Sequence, residues 1–298
     1  RKASNKRPAN PYRWEQATVV HILENRQYTG CTVNFKTTFV SFKVKKTDFF
    51  PVMLNYVVNY RCIDGKFVVS PAKYYEKPEV YESNTIEDVR NQLSSHFRLI
   101  RDMGFNTLRV CLDRFYPDEE GNYYYNTSDG KKFSIADDYE VILDGFEDLV
   151  SVAEENDLYL MLLLKPNIDN EKLEKFNVNI LSRFSDKPTV FAYDFMNEPL
   201  YFDRNADGSE HPRAKDDAYR VVSSWKEMMV KYAPRQLMTI GFAVPLEVLE
   251  WDPSMLPVDF VQVHSYHPLY FQNEIWWYGH YVGKPWMIGE TALPADND

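Results

Sequence analysis

Glu198 and Glu290 each close an apolar run of strand length, "VFAYDFMNEP" from Val190 and "PWMIGE" from Pro285, so each carboxylate stands at the tip of a different strand. Two carboxyl groups facing one another across a cleft can cleave an acetal. One protonates the departing sugar oxygen and the other attacks the anomeric carbon; at a separation of about 5 Å the attack is direct and configuration is retained. Other strand ends add Arg109 in "TLRVCLD", Asn197 beside Glu198, and His264 and Tyr266 in "DFVQVHSY". Singly, each has a plainer explanation. Asn-Glu-Pro can merely end a strand, because proline removes a donor and forces a turn. A terminal Glu is commonly solvated, and a lone His or Arg commonly serves a buried hydrogen bond or ion pair. Their joint place at strand ends is what points to a site.

The elements that must position them alternate along the chain. Seven apolar runs begin near Phe49, Thr107, Tyr159, Val190, Leu237, Asp259 and Pro285. Most are separated by segments of helical period, such as Ile86, Val89, Leu93, Phe97, Ile100 and Met103 after an N-cap expected at Asn84. Further helices are expected at about 135–156, up to Phe184, and at 216–232. Strands apolar nearly throughout are covered on both faces and parallel. The pattern therefore predicts an α/β fold, a (β/α)8 TIM barrel, whose functional groups lie at the C-terminal strand ends. An open doubly wound sheet is the rival, but no Gly-rich phosphate loop follows the first strand and the chain has only 11 glycines. Only seven strands are legible, so the barrel is expected to lack its eighth strand and last helices. The polar stretch from Asp118 to Phe133 predicts a hairpin inserted after the second strand.

Composition narrows the function. With 298 residues, 44% of them hydrophobic and 15% aromatic, the chain can bury a large core. No apolar run reaches membrane-span length. Cys31, Cys62 and Cys111 lack disulfide-framework or zinc spacing and are expected to be buried thiols. The net charge of −10 hides an asymmetry, because residues 1–46 carry ten Lys and Arg against Glu15 and Glu24. That places a boundary near Lys46, between a basic segment and an acidic barrel, and the acidic barrel suits a neutral glycan better than an anionic one. Sugar rings need aromatic faces. Trp276 and Trp277 are the foremost candidates, one of them expected to serve, with Tyr201, Phe202 and Tyr123 to Tyr125 as further choices. "DRNADGSE" from Asp203 echoes a calcium loop but has Ala214 where the bidentate Glu belongs, so a plain Asx-rich loop is expected and no metal.

In this order, "NTLRV", "FAYDFMNEP", "DFVQVHSYHP" and "KPWMIGETA" resemble the clan of barrel glycoside hydrolases that holds the family 5 cellulases and β-mannanases, over Asp48 to Asp298. The resemblance implies Glu198 as general acid/base and Glu290 as nucleophile. Asn197 would hold the hydroxyl beside the reacting carbon, Arg109 would fix and polarise the nucleophile, and His264 and Tyr266 would line the site. The substrate implied is a neutral β-1,4-linked polysaccharide or oligosaccharide, a β-mannan or β-glucan, with no cofactor; the parent enzyme is expected to be secreted or periplasmic. Charges agree with the roles, because a cationic Arg109 favours an ionised nucleophile, whose charge in turn favours a protonated acid. The likeness breaks at the third strand, where the family's histidine is replaced by Lys165 in "LLLKPNID", and at the absent eighth strand with its tryptophan. "YRWEQATVVHILENRQYTGCTVNFKT" resembles part of the DNA-binding region of large serine recombinases, over Arg1 to Lys46; a basic tail packed on the barrel is the alternative. Two lesser readings of the whole stay open: a non-catalytic carbohydrate-binding remnant, and a DNA-binding recombinase fragment.

Overall fold

The computed structural model describes residues 50–81, 85–203, 213–266 and 271–291. The basic segment 1–46 with its recombinase-like stretch, Cys31, Asn84 and residues 204–210 of the Asx-rich loop lie outside the described residues. The seven expected strands are β1 (Met53–Tyr56), β2 (Thr107–Cys111), β3 (Tyr159–Leu163), β4 (Val190–Asn197), β5 (Leu237–Phe242), β6 (Val261–His264) and β7 (Trp286–Glu290). They form one parallel sheet in sequential order. The sheet curls until its outer strands nearly meet, for Asn55 on β1 donates from Nδ2 to the carbonyl of Gly289 on β7 at 3.2 Å.

Helices α1 (Ile86–Asp102), α2 (Tyr139–Glu155), α3 (Glu171–Phe184), α4 (Lys215–Tyr232) and α5 (Phe271–Tyr281) follow β1, β2, β3, β4 and β6. Between β5 and β6 runs a 3-10 turn, Pro245–Leu249. The helices lie on the sheet because each carries an apolar stripe. In α1 the stripe is Val89, Leu93, Phe97 and Ile100; in α3 it includes Leu173, Phe176, Ile180 and Phe184. Thr85, and not the expected Asn84, caps α1, its side chain accepting from the Asp88 N–H at 3.1 Å.

Two insertions flank the first strands. Val58–Ile63 and Lys66–Pro71 pair antiparallel through Asp64 and Gly65, both in the left-handed region that a two-residue hairpin turn requires. The helix α2 packs against this hairpin so closely that a Cβ on Gly145 would sit 2.5 Å from the Phe67 carbonyl oxygen. The expected hairpin after β2 is a three-stranded meander, Tyr116–Pro117, Tyr123–Asn126 and Lys132–Ser134. Cys62 and Cys111 are free thiols, half-buried where full burial was expected. No described helix is long and apolar enough to cross a membrane.

A row of stacked rings ties the sheet to its outer layer: Phe195 on β4, Trp225 on α4 and Trp251 beyond β5, with centroids 5.4 and 6.2 Å apart. Trp225 and Trp251 are completely buried. Truncating Trp225 to Ala leaves a ring-sized void and is expected to cost about 3–5 kcal/mol, read from chemical denaturation, while Trp225→Phe costs less.

Candidate active site

The site grows from Arg109, whose guanidinium is 1% exposed at the centre of the barrel mouth. A buried guanidinium must spend its donors on acceptors. Nε and one terminal nitrogen reach Asp194 Oδ2 at 2.9 and 2.8 Å. The same terminal nitrogen donates to Asn197 Oδ1 at 2.8 Å. The other donates to Asn55 Oδ1 at 3.3 Å and to Glu290 Oε1. One side chain on β2 thus binds β1, β4 and β7. Burial opposes the charge, but Asp194 and Glu290 outweigh it and hold Arg109 firmly protonated.

The nucleophile candidate, Glu290, receives two donors, Arg109 on Oε1 and the Tyr266 hydroxyl on Oε2. His264 Nδ1 lies 3.7 Å from Oε1. Burial pushes the Glu290 carboxyl up, but His264, Arg109 and Tyr266 overcome it and leave it below its ordinary value of 4.5. The other carboxylate, Glu198, accepts from or donates to His264 Nδ1 at 2.9 Å through Oε1. Its backbone is left-handed, φ 42°, a conformation a Glu adopts only where its surroundings impose it. Its N–H is bound by Gly241 O at 2.8 Å, and its carbonyl accepts from Tyr201 and Phe202, starting the short helix Pro199–Phe202 with proline at its first position.

The strands are irregular where this alignment demands it. The register shifts between Thr239 and Gly241, which brings Gly241 opposite Asn197, and between Val263 and His264, which brings His264 opposite Glu290. The His264 ring lies over two glycines of the flanking strands. A Cβ on Gly241 would stand 2.5 Å from His264 Nε2, and one on Gly289 would stand 2.8 Å from it. Ligand atoms of Glu198, His264 and Glu290 all lie within 4.8 Å of one another. Such a trio has metal-binding donor types, but the fixed guanidinium charge of Arg109 already stands against Glu290.

The structure therefore gathers Arg109, Asn197, Glu198, His264, Tyr266 and Glu290 into one cluster. Both tryptophans lie on α5, Trp276 with its ring against His280 and Trp277 stacked on Tyr281. Tyr201 and Phe202 are exposed on the short helix that follows Glu198. Lys165 sits beyond β3, donates to the Asp113 carbonyl at 3.3 Å and lies over the Phe115 and Tyr116 rings. Burial lowers its pKa, with Asp113 pulling the other way. Asp203, first residue of the calcium-like stretch, is taken by Arg213 and by Trp251 Nε1.

Three members escaped the sequence reading. Asp194 lies fully buried inside β4, and an acid in the middle of an apolar strand is itself a signal that a cation faces it. Asn55 interrupts β1 in the same way. Glu247 gave no signal, since "PLEVLEW" reads as an ordinary solvated turn, yet it is buried and accepts three backbone N–H bonds beside Glu198.

A parallel barrel with a carboxylate pair, an arginine and a histidine at its strand tips defines a glycoside hydrolase of the (β/α) barrel class. Residues 76–281 match the family Cellulase (glycosyl hydrolase family 5), and the chain belongs to it. No curated protein matches the sequence. Among solved structures it resembles the endo-1,4-β-mannanase of Rhizomucor miehei, with 14% identity over 80% of this chain and 83% of that one and a TM-score of 0.53, a shared fold. It is also similar to the endo-β-1,4-mannanase of Thermotoga petrophila (15% identity, 70% and 59% covered, TM-score 0.47) and to an endocellulase from Pyrococcus horikoshii (12% identity, 81% and 83%, TM-score 0.46).

Two substitutions test the electrostatics. Asp194→Ala leaves the Arg109 charge buried without its main counter-ion and is expected to cost about 3–5 kcal/mol in denaturant unfolding. Tyr266→Phe removes a donor that favours ionised Glu290, so its pKa rises and the acid limb of kcat/KM moves to higher pH. The stability carried by Glu290 has the matching sign: it is full above 4.5 and is lost as pH falls through the lower folded value.

Proposed function

We propose that the chain is a retaining endo-β-glycosidase that cleaves neutral β-1,4-linked glycans by double displacement, with Glu290 as nucleophile and Glu198 as acid and then base. The observation that carries this reading is the approach of one oxygen of each carboxylate to within 4.8 Å of the other. Retaining pairs stand about 5–5.5 Å apart, whereas inverting pairs need roughly 6.5–9.5 Å to admit a water.

In the first step Glu290 attacks the anomeric carbon as Glu198 passes its proton to the departing sugar oxygen. Arg109 and Tyr266 keep the Glu290 oxygens ionised and aimed until the bond forms. Esterification removes the Glu290 charge, so Glu198, now ionised, takes a proton from the incoming water as its oxygen bonds to the anomeric carbon; the ester bond to Glu290 breaks, its carboxylate is restored, and the product leaves with its configuration retained. Asn197, fixed by Arg109, faces the hydroxyl next to the reacting carbon, and His264 orients Glu198 through Nδ1. This chemistry calls for no cofactor. The acidic balance outside 1–46 favours a neutral chain, and the family together with the Rhizomucor fold relative makes β-glucan and β-mannan the substrates to try first.

The expected results are hydrolysis of one of cellulose-type glucan, mannan or xylan with a β-anomer as first product by proton NMR, abolished by Glu290→Gln. Appearance of the α-anomer, or a Glu290→Gln variant that keeps most of the rate, contradicts the proposal.

A further inference from the structure

Glu247 is a buried acid that the chemistry above leaves unused. It is 1% exposed on the 3-10 turn between β5 and β6. Its two oxygens face different segments. Oε1 accepts from the Leu200 N–H at 3.0 Å, two residues past Glu198, and Oε2 accepts from Ala243 and Val244 at 2.6 and 3.2 Å, just past β5. The bond from Glu198 N–H to Gly241 O joins the same two segments one step lower. Two residues past the turn, Trp251 donates to Asp203 Oδ2 at 3.1 Å and stacks on Trp225. The segment from the 3-10 turn to Trp251 therefore grips the Glu198 turn at both ends, with Glu247 at the end nearer the reacting carboxylate.

We propose that Glu247 is a positioning residue for the acid/base: its carboxyl pins the left-handed Glu198 turn to the tip of β5, and this holds Glu198 where it can protonate the departing sugar oxygen. The turn needs such a pin. A left-handed Glu is held against its own preference, the helix that follows it is only four residues long, and its N-terminal amides need acceptors. Burial raises the Glu247 pKa to about 8 against the pull of its three amide donors, and the Glu198 charge adds to the rise, so the two carboxyls also feel each other directly. Burying an acid beside the acid/base is costly, which suits a role in the site better than one in packing.

This inference rests on the role of Glu198 proposed above, and its test separates the two. The full chain, its Glu198→Ala variant and its Glu247→Gln variant are assayed for kcat/KM on an unactivated β-1,4-oligosaccharide and on a 2,4-dinitrophenyl β-glycoside, whose leaving group departs without protonation. Loss of the acid costs about 10²–10⁴-fold on the first substrate and little on the second. Misplacing it by about an ångström costs on the order of 10²-fold with the same split. Glu247→Gln is expected to show that split, at about ten- to hundredfold against less than threefold. Glu247→Asp, which keeps the carboxyl but shortens its reach, shows it more mildly and serves where Gln fails to fold. Equal losses on both substrates, or no loss, overturn the positioning role. If Glu198→Ala itself shows no split, the acid/base assignment falls instead.

Discussion

A buried guanidinium governs the architecture of this site. Arg109 cannot give up its proton, so every element around it must supply an acceptor or the fold carries an uncompensated charge. Asn55, Asp194, Asn197 and Glu290 answer from β1, β4 and β7. The partners thereby fix where three strand tips stand relative to β2, and they fix the ionised state of Glu290 in the same act. Stability and reactivity are here two consequences of one ion-pair network.

The surroundings of Glu198, the proposed acid/base, follow a different plan. Among the described residues no Lys or Arg is bonded to Glu198; backbone geometry and His264 place it. A register shift on β5, a left-handed turn, a histidine lying over two glycines and the 3-10 turn after β5 together determine its direction. The two carboxyls thus sit in unlike surroundings, one gripped by donors and one held through its main chain and a single imidazole. Such asymmetry is how two residues of the same type take up opposite roles.

Much of this was legible in the chain. Uniformly apolar strands alternating with amphipathic helices pointed to a parallel barrel over an open doubly wound sheet, and Asn-Glu-Pro, His264 and Glu290 each fell at the strand tip expected of them. What stayed hidden has physical reasons. The hairpin after β1 has its signal in Asp64-Gly65, a pair suited to a two-residue turn, but it follows β1 with no break in apolarity and merges with it. Asp194 is a single acid in an apolar run, whose meaning becomes plain only once Arg109 is known to face it. Glu247 depends on tertiary contacts alone, since nothing in "PLEVLEW" says which side faces the protein. For Trp276 and Trp277 aromatic content marks a candidate platform, and the fold adds their ring neighbours on α5, His280 and Tyr281.

The central claim is that the Arg109 network presents Glu290 as the attacking group, with Glu198 beside it to move protons. Incubation with a 2-deoxy-2-fluoro β-glycoside bearing a good leaving group, followed by peptide mass spectrometry, tests it most directly. The account predicts one sugar per chain, attached to the peptide that contains Glu290 and lost in Glu290→Gln. A label on any other residue, or steady turnover of a cleaved β-glycan by a chain that never accumulates the adduct, contradicts it.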